Sequence, residues 1–121
     1  MGLASDIAHA RSEGFSIFRS IDLDESEEQV KAGAGIVMWA RIHNLASALR
    51  CVKFYDGLAA DVVVGTDTPV LTIPMAAGAG ETWAVPLGFE TGITVAAVTG
   101  VLDNSTGAPG ANEVVINLAY A

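Results

Sequence analysis

The sequence predicts an all-β fold, an antiparallel β-sandwich with a short N-terminal arm. Several segments of about 5 to 9 residues alternate between apolar and polar side chains, as strands with two different faces do. Turns rich in Gly, Pro, Asn and Thr separate them. No helical pattern interrupts the series after the first 13 residues, which argues against parallel βαβ units and favours a sandwich or barrel.

The chain of 121 residues is ordinarily one domain, large enough to bury a core without cross-links. We expect an arm over residues 1–13 and a sandwich domain over residues 14–121. The arm has near-helical spacing, with Ser5 as a possible N-cap and Gly14 as a possible C-cap. Such a short helix is marginal alone, so the arm is expected to order against another surface.

The clearest pair of strands lies within residues 49–73. Val52 and Phe54 alternate there with Cys51, Lys53 and Tyr55, and a polar turn over residues 65–69 leads into a second alternating segment. The second segment extends over residues 70–75, and further strands are predicted over residues 15–23, 35–43, 82–87, 93–102 and 113–120, giving seven or eight strands in all.

In the strand over residues 35–43, one alternating set is predicted to face the core and the other to be partly exposed. The core set is Ile36, Met38, Ala40 and Ile42, and the exposed set is Val37, Trp39, Arg41 and His43.

Two prolines and one uniformly apolar segment predict positions within the sheets. Pro74 and Pro86 cannot donate ladder hydrogen bonds, so their strands should lie at an edge or be interrupted. The strand over residues 93–102 is small or apolar on both faces and should be central.

The charge distribution is uneven. All six Lys and Arg residues lie before residue 54, whereas the chain from residue 55 onward has seven of the 14 acids and no Lys or Arg; the net charge is −8. A half without cations is poorly suited to phosphate backbones or anionic lipid. We therefore expect no nucleic-acid partner and no membrane partner.

Cysteine content and hydropathy predict a soluble protein without an export signal. Cys51 is the only cysteine, so no intrachain disulfide is possible, and we expect it to be a small, half-buried apolar side chain. The first residues lack the cationic and apolar regions of a secretory signal, and no apolar run reaches the roughly 20 residues of a spanning helix.

The acidic segment over residues 22–28 suggests a calcium loop, but its spacing does not fit. Asp22, Asp24, Ser26 and Glu28 alternate, yet the sixth position of the loop is Glu rather than Gly, and the twelfth is Gly33 rather than a bidentate carboxylate. A solvated loop, or an acidic contact with a basic neighbour, is the favoured interpretation.

No catalytic, metal or cofactor motif is present. The two histidines, His9 and His43, have no Cys or His at ligand spacing, and no Ser lies in a nucleophile elbow. We assign no catalytic residue, metal or cofactor and expect a protein that is not an enzyme.

Four segments resemble small virion proteins encoded among the structural genes of tailed bacteriophages. They are LRCVKFYD at residues 49–56, VGTDTPVLTIP at 64–74, GFETGI at 88–93 and ANEVVINL at 111–118. The resemblance covers roughly the last 75 residues. It implies a β-sandwich of jelly-roll type, without enzymatic activity, that decorates the outside of the capsid as a cement protein. It also implies a major capsid protein as partner, a homotrimer, and synthesis in the bacterial host cytoplasm before incorporation into the virion.

Eight residues are expected to bind the partner. They lie in the arm, in the acidic loop and on one strand: Leu3, Ile7, Arg11, Asp22, Asp24, Glu25, Trp39 and Arg41.

The alternative function is a host-recognition module of a head or tail fibre. It would bind glycan through Trp39, Trp83 and the polar loop over residues 103–112. Core or interface packing is the competing interpretation of both tryptophans.

Overall fold

The computed structural model describes residues 14–121, which form two antiparallel sheets packed against each other with no helix. This confirms the predicted β-sandwich; the jelly-roll connectivity stays a prediction. The nine strands in this part of the chain are β1 (Ser16–Ser20), β2 (Glu28–Ala32), β3 (Gly35–Asn44), β4 (Arg50–Asp56), β5 (Leu71–Met75), β6 (Gly80–Trp83), β7 (Leu87–Phe89), β8 (Gly92–Val98) and β9 (Val114–Tyr120).

The first sheet has the order β1-β9-β3-β6, and β7 pairs with the other end of β3. The second sheet has the order β2-β8-β4-β5. Both proline predictions are confirmed, because Pro74 lies in the edge strand β5 and Pro86 lies in the gap between β6 and β7. Strand β8 is fully buried between β2 and β4, as its apolar faces predict.

The predicted strand pair over residues 49–73 is present as β4 and β5. Val52 opposes Ile73 and Phe54 opposes Leu71. The inward side chains of this pair join the main core, which also takes in inward residues of β3, β8 and β9.

A β-bulge in β3 reverses the predicted alternation at the start of that strand. The register between β3 and β9 shifts between Val37 and Trp39. Val37 therefore lies in the main core with Ala40 and Ile42. The prediction that grouped Ile36 and Met38 with Ala40 is wrong, because these two residues pack outside the main core against Ala121.

The outer face of the second sheet is covered by two loops, so both faces of β4 are buried. Tyr55 packs with Val62 of the β4–β5 connection and with Ala96. The Nζ of Lys53 donates hydrogen bonds to the carbonyl oxygens of Val101 and Leu102, each at 2.9 Å.

The same cover makes Cys51 fully buried rather than half-buried. Burial raises the pKa of its thiol, although the nearby charge of Lys53 acts in the opposite direction.

The acidic segment carries the chain from the first sheet to the second. Leu23 has no solvent exposure, and its backbone N–H donates to the carbonyl oxygen of Val114 at 3.1 Å. The segment leads directly into β2, which the sequence did not predict. Among the β2 side chains only Val30 is buried, so the sequence of β2 shows little of the apolar alternation that identifies a strand.

Within the described part of the chain, no helix has the length and apolarity needed to cross a membrane.

Candidate functional site

The outward side of the first sheet brings together side chains from β1 and β3. In one row across the sheet Ile17 opposes Ala119, which opposes Trp39. In the next row Arg19 opposes Asn117, which opposes Arg41. We call Ile17, Arg19, Trp39, Arg41 and His43 the Trp39 face.

The first row of the Trp39 face is apolar and accessible. Ile17 is 58% exposed and Trp39 is 37% exposed, whereas Ala119 between them is only 1% exposed. Side chains that oppose one another across neighbouring strands lie in contact range, so the two large residues flank Ala119. An exposed Trp and an exposed Ile on neighbouring strands of one sheet face are typical of a protein contact surface.

The second row carries the positive charge. The Nη1 of Arg41 donates a hydrogen bond of 3.0 Å to the hydroxyl of Thr82 on β6. A Cβ placed on Gly80 would lie 2.8 Å from Nη2 of Arg41 and 3.2 Å from Nδ1 of His43, so both side chains extend over β6 at this glycine. Arg19 is two strands away, roughly 10 Å, at which salt screens much of the repulsion between exposed charges.

Two other cations of residues 14–121, Arg50 and Lys53, are engaged elsewhere. Arg50 forms a salt bridge of 2.9 Å with Glu113, and its hydrogen bond, together with the backbone N–H of Gly110, lowers the pKa of that carboxyl. Lys53 is buried against backbone carbonyls. The Trp39 face is therefore locally basic on a chain whose net charge is −8.

The acidic residues predicted to bind a partner lie in the connection after β1, not on the Trp39 face. Asp22 Oδ1 accepts a hydrogen bond from the backbone N–H of Asn112 at 2.7 Å. Asp24 Oδ1 accepts from the N–H of Ser26 at 2.9 Å. Glu25 is half-buried. Two of these three carboxyl groups thus already hold the local backbone.

Glu28, the last acid of that segment, links the two sheets. Its Oε2 accepts a hydrogen bond of 3.1 Å from the hydroxyl of Ser20. Partial burial raises the pKa of Glu28; this hydrogen bond opposes the rise, and the charges of Asp24 and Asp22 add to it.

The structure brings Trp39 and Arg41 together and adds three residues that the sequence did not assign. His43 lies on β3 with them, as alternation predicts. Ile17 and Arg19 belong to β1, and their position follows only from the pairing of β1 with β9. The remaining predicted residues, Leu3, Ile7 and Arg11, lie outside the described residues.

The two tryptophans of the alternative hypothesis lie on opposite sides of the first sheet. Trp83 opposes Ala40 and packs against the main core, with a buried Nε1 that has no partner in the described chain. The polar loop over residues 103–112 follows Val101 and Leu102, whose carbonyl oxygens accept hydrogen bonds from Lys53 on the second sheet. The fold does not assemble a platform from both indoles.

Within residues 14–121, no group of three or more His, Cys, Asp or Glu side chains is arranged to hold a metal ion. A comparison with models of known protein families found no match, and a comparison with curated proteins found none either.

Proposed function

We propose that this chain is a structural virion protein of the capsid decoration type, which binds the outer surface of a bacteriophage capsid and stabilises it without catalysing a reaction. Its partners in this proposal are the major capsid protein and two further copies of the chain in a homotrimer. The sequence resemblance supports the proposal, and the segments that carry it fall largely within β4, β5, β7, the start of β8 and β9. These strands build the sandwich and do not include the residues of the Trp39 face, which lie on β1 and β3. The residues of that face can therefore be specific to one partner.

The observation that carries the proposal is the composition of the Trp39 face. Trp and Arg are the residues that most often dominate the energy of protein interfaces. Here they lie side by side on β3, which is paired with β9 on one side and with β6 and β7 on the other. A side chain on such a strand is already positioned, so little conformational entropy is lost on docking.

The charge of the face defines the complementary partner surface. Two arginines and a histidine lie along one side of an apolar strip, so the partner should offer carboxylates beside an apolar depression. The rest of the chain has a net negative charge, which would disfavour binding of the same acidic partner surface in other orientations.

The test uses purified particles that lack this protein and measures binding of the added chain. We expect Trp39→Ala to weaken binding by about 30-fold or more, because loss of a central interface Trp typically costs at least about 2 kcal/mol. Leu102→Ala is the matched control, since this apolar residue is 67% exposed in the loop over the second sheet.

A second pair of variants tests the charge. Arg41→Gln should weaken binding and reduce its salt sensitivity, whereas Lys31→Gln, which removes the same charge from β2, should do neither. Unchanged binding by a chain carrying both Trp39→Ala and Arg41→Gln would reject docking through this face. An image of the particle that places the density inside the capsid or on the tail would reject decoration of the capsid exterior.

The arm over residues 1–13 is the second expected contact. Its deletion should leave the sandwich folded, because both sheets are complete within residues 14–121. The shortened chain should lose capsid occupancy, which sedimentation with particles measures. Sedimentation equilibrium of the free chain tests the homotrimer, and a mass of one chain at all concentrations would contradict it.

A further inference from the structure

Strand β1 forms the outer edge of the first sheet. It pairs with β9 on one side, and its other side has no strand partner within residues 14–121. In an antiparallel pair, successive residues direct their N–H and C=O groups alternately toward and away from the neighbouring strand. Every second residue of β1 therefore directs backbone hydrogen-bonding groups outward, where they can serve as a template for another strand.

The sequence of β1 has none of the features that usually protect an edge strand. Its register with β9 runs from Ser16 to Ser20 without a shift, and it contains no Pro, Gly or Lys. The only charged residue in it is Arg19. This edge can therefore accept a partner strand along its whole length.

Exposed apolar side chains accompany this open edge. Ile17 is 58% exposed, Phe15 just before the strand is 44% exposed, and Ile21 just after it is 50% exposed. Phe18 packs against the main core but is only partly buried there. An edge that combines unpaired backbone groups with large exposed apolar side chains favours association with another strand.

We propose that the β1 edge pairs in antiparallel orientation with the β1 edge of a second copy of this chain. A two-fold axis perpendicular to the sheet relates two such strands, so both copies use the same edge and the contact closes after one pairing. Only the register centred on Phe18 pairs all five residues of β1 with one another. In this register Phe18 faces Phe18 of the second copy, and Ile17 faces Arg19 of the second copy.

The side chains of β1 are compatible with one another in this register. The two Phe18 rings meet at the two-fold axis at the border of the core, where an aromatic pair is favourable. Ser16 faces Ser20 of the second copy, a pair that can form a cross-strand hydrogen bond. The alkyl part of each Arg19 can lie along the opposite Ile17, and the two arginines are not directly opposite each other.

The distribution of acidic charge also suits a second copy in antiparallel orientation. The acidic segment of each copy begins just after Ser20. In this register the two Ser20 residues lie four positions apart along the paired strands, about 14 Å, which exceeds the distance of about 8–10 Å over which salt screens exposed charges. The two acidic segments then lead away from each other, so their repulsion opposes the pairing little.

The pairing would place the two Trp39 faces on the same side of one continuous sheet, because the two-fold axis is perpendicular to that sheet. It is separate from the proposed homotrimer, which needs a three-fold contact through other surfaces. Where both contacts form, the β1 pairing joins one trimer to another.

The experiment is sedimentation equilibrium of the whole chain, without particles, from about 10 µM to 1 mM. Two strands of five residues pair over only about 17 Å, much less than a standard interface, so we expect a dissociation constant on the order of 100 µM. At the highest concentration, the largest species should have twice the mass of the largest species formed by Ile17→Lys.

Two substitutions at one position test the register. Ile17→Lys places a cation opposite Arg19 of the second copy, twice in each pair, and should raise the dissociation constant at least about tenfold. Ile17→Glu places a carboxylate at the same point and should associate at least about tenfold more tightly than Ile17→Lys. Net charge alone predicts the opposite order, because the chain already carries −8.

Val85→Lys is the matched control. Val85 is 61% exposed in the gap between β6 and β7, on the other side of the first sheet from β1. The substitution adds the same charge in place of an equally exposed apolar side chain, and it should leave the association unchanged.

Three results would overturn the proposal. The first is a mass that Ile17→Lys does not lower, and the second is equal association by Ile17→Lys and Ile17→Glu. The third is association by residues 14–121 but not by the whole chain, since residues 1–13 would then cover the edge. All three measurements use the free chain, so the pairing can fail without affecting the proposed decoration role.

Discussion

Asn44 joins the end of β3 to the end of β5, and its removal is the sharpest test of how the two sheets are held together. The side chain is fully buried. Its Nδ2 donates to the carbonyl oxygens of Ala48, Met75 and Ala76 at 2.8, 3.1 and 3.1 Å, and its Oδ1 accepts from the N–H of Ala46 at 2.9 Å. One amide thus organises the crossing from the first sheet to the second.

The expected cost of Asn44→Ala follows from these contacts. An amide has two protons for the three carbonyls, so about three independent hydrogen bonds are lost, each contributing about 1 kcal/mol net. The free energy of unfolding should fall by about 3 kcal/mol, a large part of the 5–15 kcal/mol typical of a domain. With a urea m-value of about 1.5 kcal/mol/M, the midpoint should fall by about 2 M.

Urea unfolding followed by tryptophan fluorescence measures this change. Asn117→Ala on β9 is the matched control, because this Asn points outward on the first sheet, and its effect should stay within about 0.5 kcal/mol. Asn44→Asp keeps the shape but replaces the donors with an anion facing carbonyl oxygens, so it should destabilise at least as much as Asn44→Ala. A loss below about 1 kcal/mol for both Asn44 variants would refute the assigned role.

Three further predictions concern groups buried or bonded in the described structure. Asp56→Asn should destabilise the domain at neutral pH. Because folding lowers the pKa of Asp56, the advantage of Asp over Asn should be present above the unfolded pKa of about 3.9 and disappear as the pH falls through the folded pKa. If urea unfolding gave the same difference in the free energy of unfolding between the two chains at pH 7 and at pH 3, the prediction would be contradicted. Leu23→Ala should cost about 2–5 kcal/mol in thermal or urea unfolding, against less than about 0.5 kcal/mol for Leu45→Ala, which is 61% exposed. Tyr55→Phe should raise the free energy of unfolding by up to about 1 kcal/mol, and a clear loss would mean that the hydroxyl has a partner.

Local patterns predicted the elements whose side chains keep a simple alternation. The β4–β5 pair, the central position of β8 and the interruption at Pro86 all follow from side-chain period or from a missing backbone donor. Strand β2 was missed because an edge strand with one buried side chain has little apolar signal. The bulge in β3 was missed because an inserted residue depends on the pairing with β9, which a local pattern does not contain.

The candidate surfaces depended more on pairing distant in sequence. Trp39 and Arg41 were predicted as exposed neighbours, but Ile17 and Arg19 join them only through β9, about 100 residues later in the chain. Tyr55 was predicted to lie on the face of β4 opposite Val52 and Phe54, and its burial arises from the β4–β5 connection folding over it. Loop positions of this kind are set by contacts that become visible only once the sheets exist.

The edges of both sheets limit how copies of this protein can associate. An open strand edge is a template for strand addition from another chain, a hazard wherever many copies accumulate. Three of the four edge strands in residues 14–121 are poor templates, because β5 carries Pro74 near its end, β2 is irregular between Gln29 and Lys31, and β6 has only four residues. Strand addition at these three edges is therefore disfavoured, and apart from the β1 edge an ordered assembly that avoids them would use sheet faces and loops, where side chains rather than backbone decide which surfaces meet.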